Sequence, residues 1–148
     1  MNVRVEVLSE VTDEVVEAFG RLLPQLSGSA PPLDQAALQS LVSSPAITVL
    51  LARSSGVITG TLTLVMFPLP TGLRAWIEDV VVDESARGQG VGEALTLAAV
   101  RQAEAAGART LDLTSRPSRA AAGRLYERLG FTIRDSRVYR YPLGQDKV

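Results

Sequence analysis

The start of the chain switches from period-two alternation to helical spacing of its apolar residues. Residues 3–8 alternate polar and apolar side chains, which predicts a strand. Thr12 or Asp13 can cap a helix that runs to about Leu26. After a loop rich in Ser, Gly and Pro, Asp34 can cap a second and shorter helix. The pattern therefore predicts one strand followed by two helices.

The middle of the chain contains three apolar runs of the kind that form strands. Ile47–Ala52 and Val57–Phe67 are joined by Ser54-Ser55-Gly56, which predicts a hairpin. A turn over residues 68–72 leads into a third run, about Leu73–Val82. These runs predict three consecutive strands.

The last part of the chain predicts two further helices and three further strands. A glycine-rich loop leads into an Ala- and Leu-rich helix over about 91–106. Pro117-Ser118 opens a helix that Gly130 ends. The remaining strands are Thr110–Thr114, Phe131–Ile133 and Arg137–Tyr141, and a frayed tail is expected over 145–148. The resulting order, β-α-α-β-β-β-α-β-α-β-β, predicts an α/β (α+β) fold.

The glycine-rich stretch, Arg87–Gly92, lies between a predicted strand and a predicted helix. Glycines allow tight turns and close approach of a ligand to the main chain. The first N–H groups of a helix have no internal partner and lie at the positive end of its dipole, so they favour an anion. The stretch predicts a phosphate site, and its simplest alternative is a plain strand-to-helix turn.

Two common phosphate loops do not fit these residues. The dinucleotide pattern G-x-G-x-x-G begins at Gly88 and Gly90, but its third glycine would fall on Glu93. The nucleoside triphosphate loop ends in G-K-[ST], and the only lysine of the chain is Lys147. Both classes of nucleotide site are therefore excluded in their usual forms.

Composition restricts the chemistry further. The 148 residues suit one domain with a hydrophobic core, and they contain no cysteine and no histidine. Disulfides, a thiol nucleophile, the Ser-His-Asp arrangement and the usual zinc ligands are thereby excluded. No apolar run reaches the roughly 18 residues of a membrane span, and the first residues do not resemble a signal peptide. We expect a cytoplasmic protein that holds no metal and does not bind a membrane.

Positive charge is concentrated in the second half of the chain. Residues 1–70 carry three Arg and six acidic residues, whereas residues 116–140 carry seven Arg and two acidic residues. Such a patch suits nucleic acid, a compact polyanion such as coenzyme A, or simply solvated helix faces. Aromatic residues amount to only 5%, which offers little for base stacking. We therefore expect no nucleic-acid partner.

Two stretches together resemble one family of enzymes. The pattern R-x-x-G-x-G of Arg87, Gly90 and Gly92 resembles the acyl-coenzyme A pyrophosphate loop of the GNAT superfamily of N-acetyltransferases. The stretch from Ala122 to Phe131, with Leu-Tyr followed by Gly-Phe, resembles the late helix of the same superfamily. The resemblance covers essentially the whole chain. It implies a single domain over 1–148, with a mixed, twisted sheet of about seven strands flanked by four helices.

The resemblance also implies which residues hold acetyl-CoA. Main-chain N–H groups of the loop would surround the pyrophosphate, with the Arg87 side chain beside it. The main chain of Val80, Val81 and Val82 would pair with the pantetheine arm, and an N–H group there could polarise the thioester carbonyl. The loop residues concerned are Gly88, Gln89, Gly90, Val91 and Gly92.

Tyr126 is the candidate acid for the departing thiolate and a candidate contact of the coenzyme. It occupies the position of the superfamily's frequent catalytic tyrosine, and a phenol stays protonated at neutral pH. A half-buried tyrosine at a helix edge is the structural alternative. Many members carry Asn where this chain has Arg119, so Ser115 or Ser118 could replace that contact with the coenzyme. Arg119 and Arg124 could instead reach its phosphates.

Glu78 and Asp79 are the candidate groups for the amine. Strict alternation puts Glu78 on one face with Val80 and Val82, and Asp79 on the other, although a bulge would change this arrangement. A carboxylate could accept the proton directly, act through water or bind the ammonium ion. A salt bridge to a nearby arginine is the alternative.

The predicted activity is transfer of an acetyl group from acetyl-CoA to a primary amine of a small molecule or peptide, by direct attack in a ternary complex. The segment Ile77–Val82 is also similar to eukaryotic glucosamine-6-phosphate N-acetyltransferases, which leaves an amino-sugar acceptor open. A non-catalytic acyl-CoA-binding regulatory module is the alternative from another class. The resemblance further implies a possible homodimer.

Overall fold

The computed structural model describes residues 2–144. Its five strands are β1 (Val3–Val7), β2 (Ile47–Ser54), β3 (Val57–Leu69), β4 (Gly72–Val82) and β5 (Thr110–Asp112). Its four α-helices are α1 (Asp13–Leu26), α2 (Gln35–Val42), α3 (Val91–Ala105) and α4 (Ala120–Arg128). The chain divides into two compact units between Ser115 and Arg116, so the sheet and α1–α3 belong to the first unit and α4 to the second. The prediction of a single domain stays a prediction.

The strands form one mixed sheet in the order β1-β2-β3-β4-β5. Neighbours from β1 to β4 are antiparallel, whereas β5 runs parallel to β4. The parallel pairing is short and joins Arg74–Trp76 to Thr110–Asp112. The predicted fold class, a mixed sheet with four helices, is confirmed.

The predicted number of strands, about seven, is not confirmed. In the described part of the second unit, neither Phe131–Ile133 nor Arg137–Tyr141 forms a strand. Alternation makes a segment suitable for a sheet, but a strand exists only where a neighbour accepts its hydrogen bonds and a buried face fixes its register. Ile133 and Tyr139 are 86% and 89% exposed, so no such face forms. The tail predicted at 145–148 lies outside the described residues.

The predicted caps of the first two helices are confirmed. The Thr12 side chain accepts from the Val15 N–H, and the Asp34 carboxylate accepts from the Ala37 N–H at 2.8 Å. The last helix begins at Ala120, later than predicted, because Pro117 lies in a turn before the helix rather than in its first turn. It occupies the second position of a turn in which the Arg119 N–H donates to the Arg116 carbonyl at 2.9 Å, a position that also suits its fixed φ.

The core of the first unit lies on both faces of the sheet. On one face, Val49, Leu51 and Val81 pack with apolar side chains of α1 and α2 in a single buried cluster. The other face meets α3 at Gly60, where an added Cβ would lie only 2.9 Å from a methyl carbon of Val91. This close approach fixes where α3 begins, and the glycine-rich loop ends at that point.

Candidate active site

A bulge interrupts β4 at the predicted acidic pair. Thr63 of β3 lies opposite Glu78 and Thr61 lies opposite Val81, so Asp79 and Val80 together face the single residue between those threonines. Asp79 has a φ of 48°, in the left-handed region, which aspartate tolerates better than most residues. The extra residue changes the direction of every side chain that follows it.

The bulge puts Glu78 on the face of the sheet that α1 and α2 cover. Glu78 and Val81 share this face because their partners, Thr63 and Thr61, are two residues apart. Strict alternation, which pairs Glu78 with Val80 and Val82, is therefore wrong for this strand. Both Glu78 and Asp79 are exposed, so either carboxylate is open to a substrate. Their chemical roles stay predictions.

The second half of β4 has an open edge. Within the described residues, β5 pairs only with Arg74–Trp76, so residues 77–82 have no strand neighbour on that side. An open edge offers alternating N–H and C=O groups to an extended ligand. Val80, Val81 and Val82, the residues predicted to contact pantetheine, lie in this half.

The open edge leads directly into the glycine-rich loop. A single 3-10 turn, Glu84–Ala86, separates β4 from Arg87, whose guanidinium Nε donates to the Val82 carbonyl at 3.4 Å. Gly88 and Gly90 have φ values of 78° and 84°, which residues other than glycine rarely adopt. Arg87, Gly88, Gln89 and Gly90 are all exposed.

The loop ends at an uncapped helix N-terminus. Gly90 is the N-cap of α3, and no side chain caps the helix there. The first backbone hydrogen bond of the helix runs from the Ala94 N–H to the Gly90 carbonyl at 3.0 Å, so the amides of Val91 and Gly92 precede the helical ladder. Val91 is buried and fixes this turn to the sheet. The predicted loop residues thus present amide donors at the positive end of a helix.

Sequence reasoning missed the residues that anchor the turn immediately before this loop. One Asp83 oxygen accepts from the N–H and hydroxyl of Ser85, both at 3.1 Å, and the other pairs with Arg21 of α1. The Ser85 N–H above all, with help from Arg21, holds the pKa of Asp83 below its usual value. Asp-x-Ser after a strand is a turn signal, but nothing in the sequence links it to Arg21.

In the second unit, Tyr126 lies in the last turn of α4. Gly130, with a φ of 105°, ends this helix: its N–H donates to the Glu127 carbonyl, and the Phe131 N–H donates to the Tyr126 carbonyl. This arrangement brings the rings of Tyr126 and Phe131 edge to face, with centroids 5.7 Å apart. Burial raises the pKa of Tyr126, and the nearby positive charge of Arg119 opposes that rise.

The other predicted coenzyme contacts are exposed. Ser115 follows β5 at the end of the first unit, and Arg119 is the N-cap residue of α4, with no side-chain hydrogen bond to the helix. Arg124 is exposed on α4. The structure thus brings Glu78, Asp79, the open edge and the glycine loop together in the first unit, and brings Arg119 and Tyr126 together in the second.

Comparison with known proteins identifies the family. A model of the Acetyltransferase (GNAT) family matches residues 11–131, and the chain belongs to this family. The comparison with curated proteins gives no match.

Solved structures share the fold. An acetyltransferase of Trypanosoma brucei is 28% identical, with a TM-score of 0.76 over 96% of this chain and 100% of that chain. Glucosamine-6-phosphate N-acetyltransferase of Arabidopsis thaliana is 18% identical, with a TM-score of 0.80 over 95% and 99%. The enzyme AAC(6')-Iy, in complex with the bisubstrate analog CoA-S-monomethyl-acetylneamine, is 20% identical, with a TM-score of 0.76 over 95% and 97%. Membership of the family, together with the acetyltransferase of Trypanosoma brucei, supports acetyl transfer as the general activity.

Among residues 2–144, no helix combines the length and hydropathy that crossing a membrane requires. Nor do three or more Asp or Glu side chains in this part of the chain gather into a group that could hold a metal ion.

Proposed function

We propose that the protein transfers an acetyl group from acetyl-CoA to a primary amine of a small molecule or peptide. One observation carries the proposal: the open half-edge of β4 leads within a few residues into the uncapped N-terminus of α3. An extended amide-bearing arm with a pyrophosphate at its end matches these two features in order. Family membership and the coenzyme analog bound to a structural neighbour support the same donor.

The residues present fit this donor. The backbone of Val80–Val82 would pair with the pantetheine arm, and the amides from Gly88 to Gly92 would surround the pyrophosphate. A Cβ added at Gly88 or Gly90 would meet no other atom within 4 Å, so the space beside the main chain is open to a ligand. The Arg87 side chain would lie beside the pyrophosphate, Ser115 would contact the pantetheine arm, and Arg119 would reach the phosphates of the coenzyme.

The proposed reaction is direct attack in a ternary complex. The amine nitrogen attacks the thioester carbonyl carbon, the C–S bond breaks, and the thiolate takes the hydroxyl proton of Tyr126. The amine's proton passes to Glu78 or Asp79, directly or through water. The raised pKa of Tyr126 keeps it protonated, as an acid requires. A main-chain N–H of the bulged strand would stabilise the negative charge that develops on the carbonyl oxygen.

The acceptor divides the proposal into two cases. The two exposed carboxylates, of which Glu78 lies on the face that α1 and α2 cover, suit any cationic amine, which favours a small molecule or peptide without choosing among them. An amino-sugar phosphate is the specific alternative. A panel of both kinds of amine, with thiol release as the signal, distinguishes them, and release with none of the amines would favour a non-catalytic acyl-CoA-binding module.

Calorimetry with acetyl-CoA tests the donor site. Gly90→Glu should abolish binding, because a carboxylate would enter a site built for phosphate. Gly56→Glu is the matched control, since Gly56 has nearly the same φ, 83°, and equally open surroundings but lies in the β2–β3 turn. If the unaltered protein binds no acyl-CoA, or if both variants lose binding equally, the donor site is not where we place it.

We also propose a cytoplasmic homodimer. Support for the second copy comes from five exposed apolar residues near the end of the described chain, Ile133, Val138, Tyr139, Tyr141 and Leu143. The five lie within one short segment of the sequence, and exposed apolar side chains that gather into a patch often mark an interaction surface.

A further inference from the structure

We propose that Arg21 and Asp83 form a clasp through which α1 holds the coenzyme loop in its binding geometry. The proposal rests on the proposed binding of acetyl-CoA at residues 87–92. Arg21 and Asp83 are positioning residues in it, because neither needs to touch the coenzyme. Gln25, one turn further along α1, completes the clasp.

Arg21 is fixed from three sides. Its guanidinium donates to Glu17 on its own helix at 3.2 Å, to Asp83, and to the Ile58 carbonyl at 3.2 Å. Its side chain is 34% exposed and that of Asp83 is 14% exposed, so the ion pair is partly shielded from water. Ion-paired hydrogen bonds in such surroundings are stronger than neutral or fully exposed ones. Arg21 therefore ties α1 to β3 and to the segment after β4 at once.

Asp83 uses its two oxygens for two different tasks. One oxygen binds the N–H and hydroxyl of Ser85 and so shapes the turn, while the other faces Arg21. Its own N–H donates to the Thr59 carbonyl at 2.7 Å, and its carbonyl accepts from Ala86 at 2.8 Å. Asp83 thus joins β3, α1 and the turn that precedes the loop.

Gln25 makes the second attachment. Its side-chain carbonyl accepts from the Glu84 N–H at 2.8 Å, and its amide donates to the Arg21 carbonyl. Only four residues separate Asp83 from Gly88. The last of these, Arg87, donates a hydrogen bond to the carbonyl of Val82, the residue before Asp83. A shift at Asp83 or Glu84 is therefore passed on to the amides that would bind pyrophosphate.

The test separates the clasp from the turn. Asp83→Asn keeps an oxygen for Ser85 but can turn an amide N–H toward Arg21, and Arg21→Met removes the other partner. Each should raise the Kd for acetyl-CoA about tenfold, with little change in kcat at saturation. The double variant should be no weaker than the single ones, because both remove one interaction. Arg21→Lys, which keeps the charge but lacks the planar fork, should fall in between.

Glu14→Gln is the matched control. It removes an ion pair between the same helix and Arg53, at 2.8 Å, next to the β2–β3 turn rather than the loop. Its Kd for acetyl-CoA should match that of the unaltered protein. Equal weakening in Glu14→Gln and Asp83→Asn would overturn the clasp, as would a Kd within twofold of the unaltered protein in both clasp variants.

Hydrogen exchange of the loop amides, measured without ligand, gives an independent readout. Exchange in residues 84–92 should accelerate in Asp83→Asn and Arg21→Met but not in Glu14→Gln. Unchanged exchange in both clasp variants would overturn the inference even if binding changes. If the unaltered protein binds no acetyl-CoA, the proposed function fails, and the exchange result still decides whether α1 holds the loop.

Discussion

Two influences act in opposite directions on the phenol of Tyr126. Burial beside Phe131 disfavours the phenolate, while the charge of Arg119 favours it, and burial is the stronger of the two. The pKa of this phenol is therefore above the ordinary tyrosine value of about 10, and the group keeps its proton at neutral pH. Such a group suits protonation of a thiolate and cannot serve as a base at neutral pH.

Tyr126→Phe therefore tests the acid directly. We expect turnover to fall about 100-fold or more while the Kd for acetyl-CoA changes little, because general acids contribute about 10² to 10⁴. In the unaltered enzyme, turnover should not decline through this group until the pH exceeds about 10. Steady-state thiol release and calorimetry measure both quantities. Tyr139→Phe, which alters an exposed tyrosine of the same unit, should have no effect; an unchanged rate in Tyr126→Phe would remove this residue from the mechanism.

Asp83 should also make stability depend on pH. Its pKa is lowered in the folded state, so its contribution is present above the unfolded value of about 3.9 and is lost as pH falls through the folded pKa. We expect Asp83→Asn to be less stable than the unaltered protein at pH 7, and the difference to shrink as pH falls below about 4. Urea unfolding at several pH values measures it. A difference that does not vary with pH would contradict the assignment.

At the level of elements, the contact of β3 with α3 controls where the glycine-rich loop ends. A Cβ at Gly60 would lie 2.9 Å from Val91 and 3.2 Å from the Val81 carbonyl, and the backbone atom cannot easily move. Gly60→Ala should destabilise the protein by about 1 to 3 kcal/mol, as overpacking does. Gly28→Ala, which meets no atom within 4 Å, should be neutral or slightly stabilising. Urea unfolding of both variants measures the difference, and equal stabilities would contradict it.

Elements set by neighbouring residues were predictable from the sequence. Thr12 and Asp34 cap their helices as expected because a cap needs only three or four residues of chain. The hairpin at Ser55-Gly56 forms where the turn residues indicate, and Gly56 has the positive φ of such a turn. Elements that depend on distant partners were not predictable, and Arg137–Tyr141 shows this, because alternation cannot supply a neighbouring strand.

The candidate site divides in the same way. The candidate roles of Gly88, Gly90 and Tyr126 come from short motifs, since the glycine-rich loop and the late helix are each continuous in sequence. The faces of Glu78 and Asp79 required the β4 bulge, whose register depends on β3. The attachment of Asp83 to Arg21 joins residues 62 positions apart and leaves no local pattern.

For the whole molecule, the proposed homodimer can be tested by measuring its mass and by altering the exposed apolar residues after Phe131. Sedimentation equilibrium should give twice the chain mass of 15.8 kDa. Val138→Glu should shift the protein toward monomer, because a buried unpaired charge is costly at an interface. Arg134→Glu, at an exposed polar position of the same segment, should shift it less. A monomer at every concentration would exclude the dimer.

The open half of β4 also affects how the protein behaves when no ligand is bound. A sheet edge with unpaired amides and carbonyls is a template on which other chains can add strands and aggregate. The bulge at Asp79 and the exposed carboxylates of Glu78 and Asp79 twist and charge this edge, which makes such growth unfavourable. If acetyl-CoA covers this edge as proposed, solutions without the coenzyme should turn cloudy sooner on gentle heating than solutions saturated with it. Neutralising both carboxylates should increase the difference between the two.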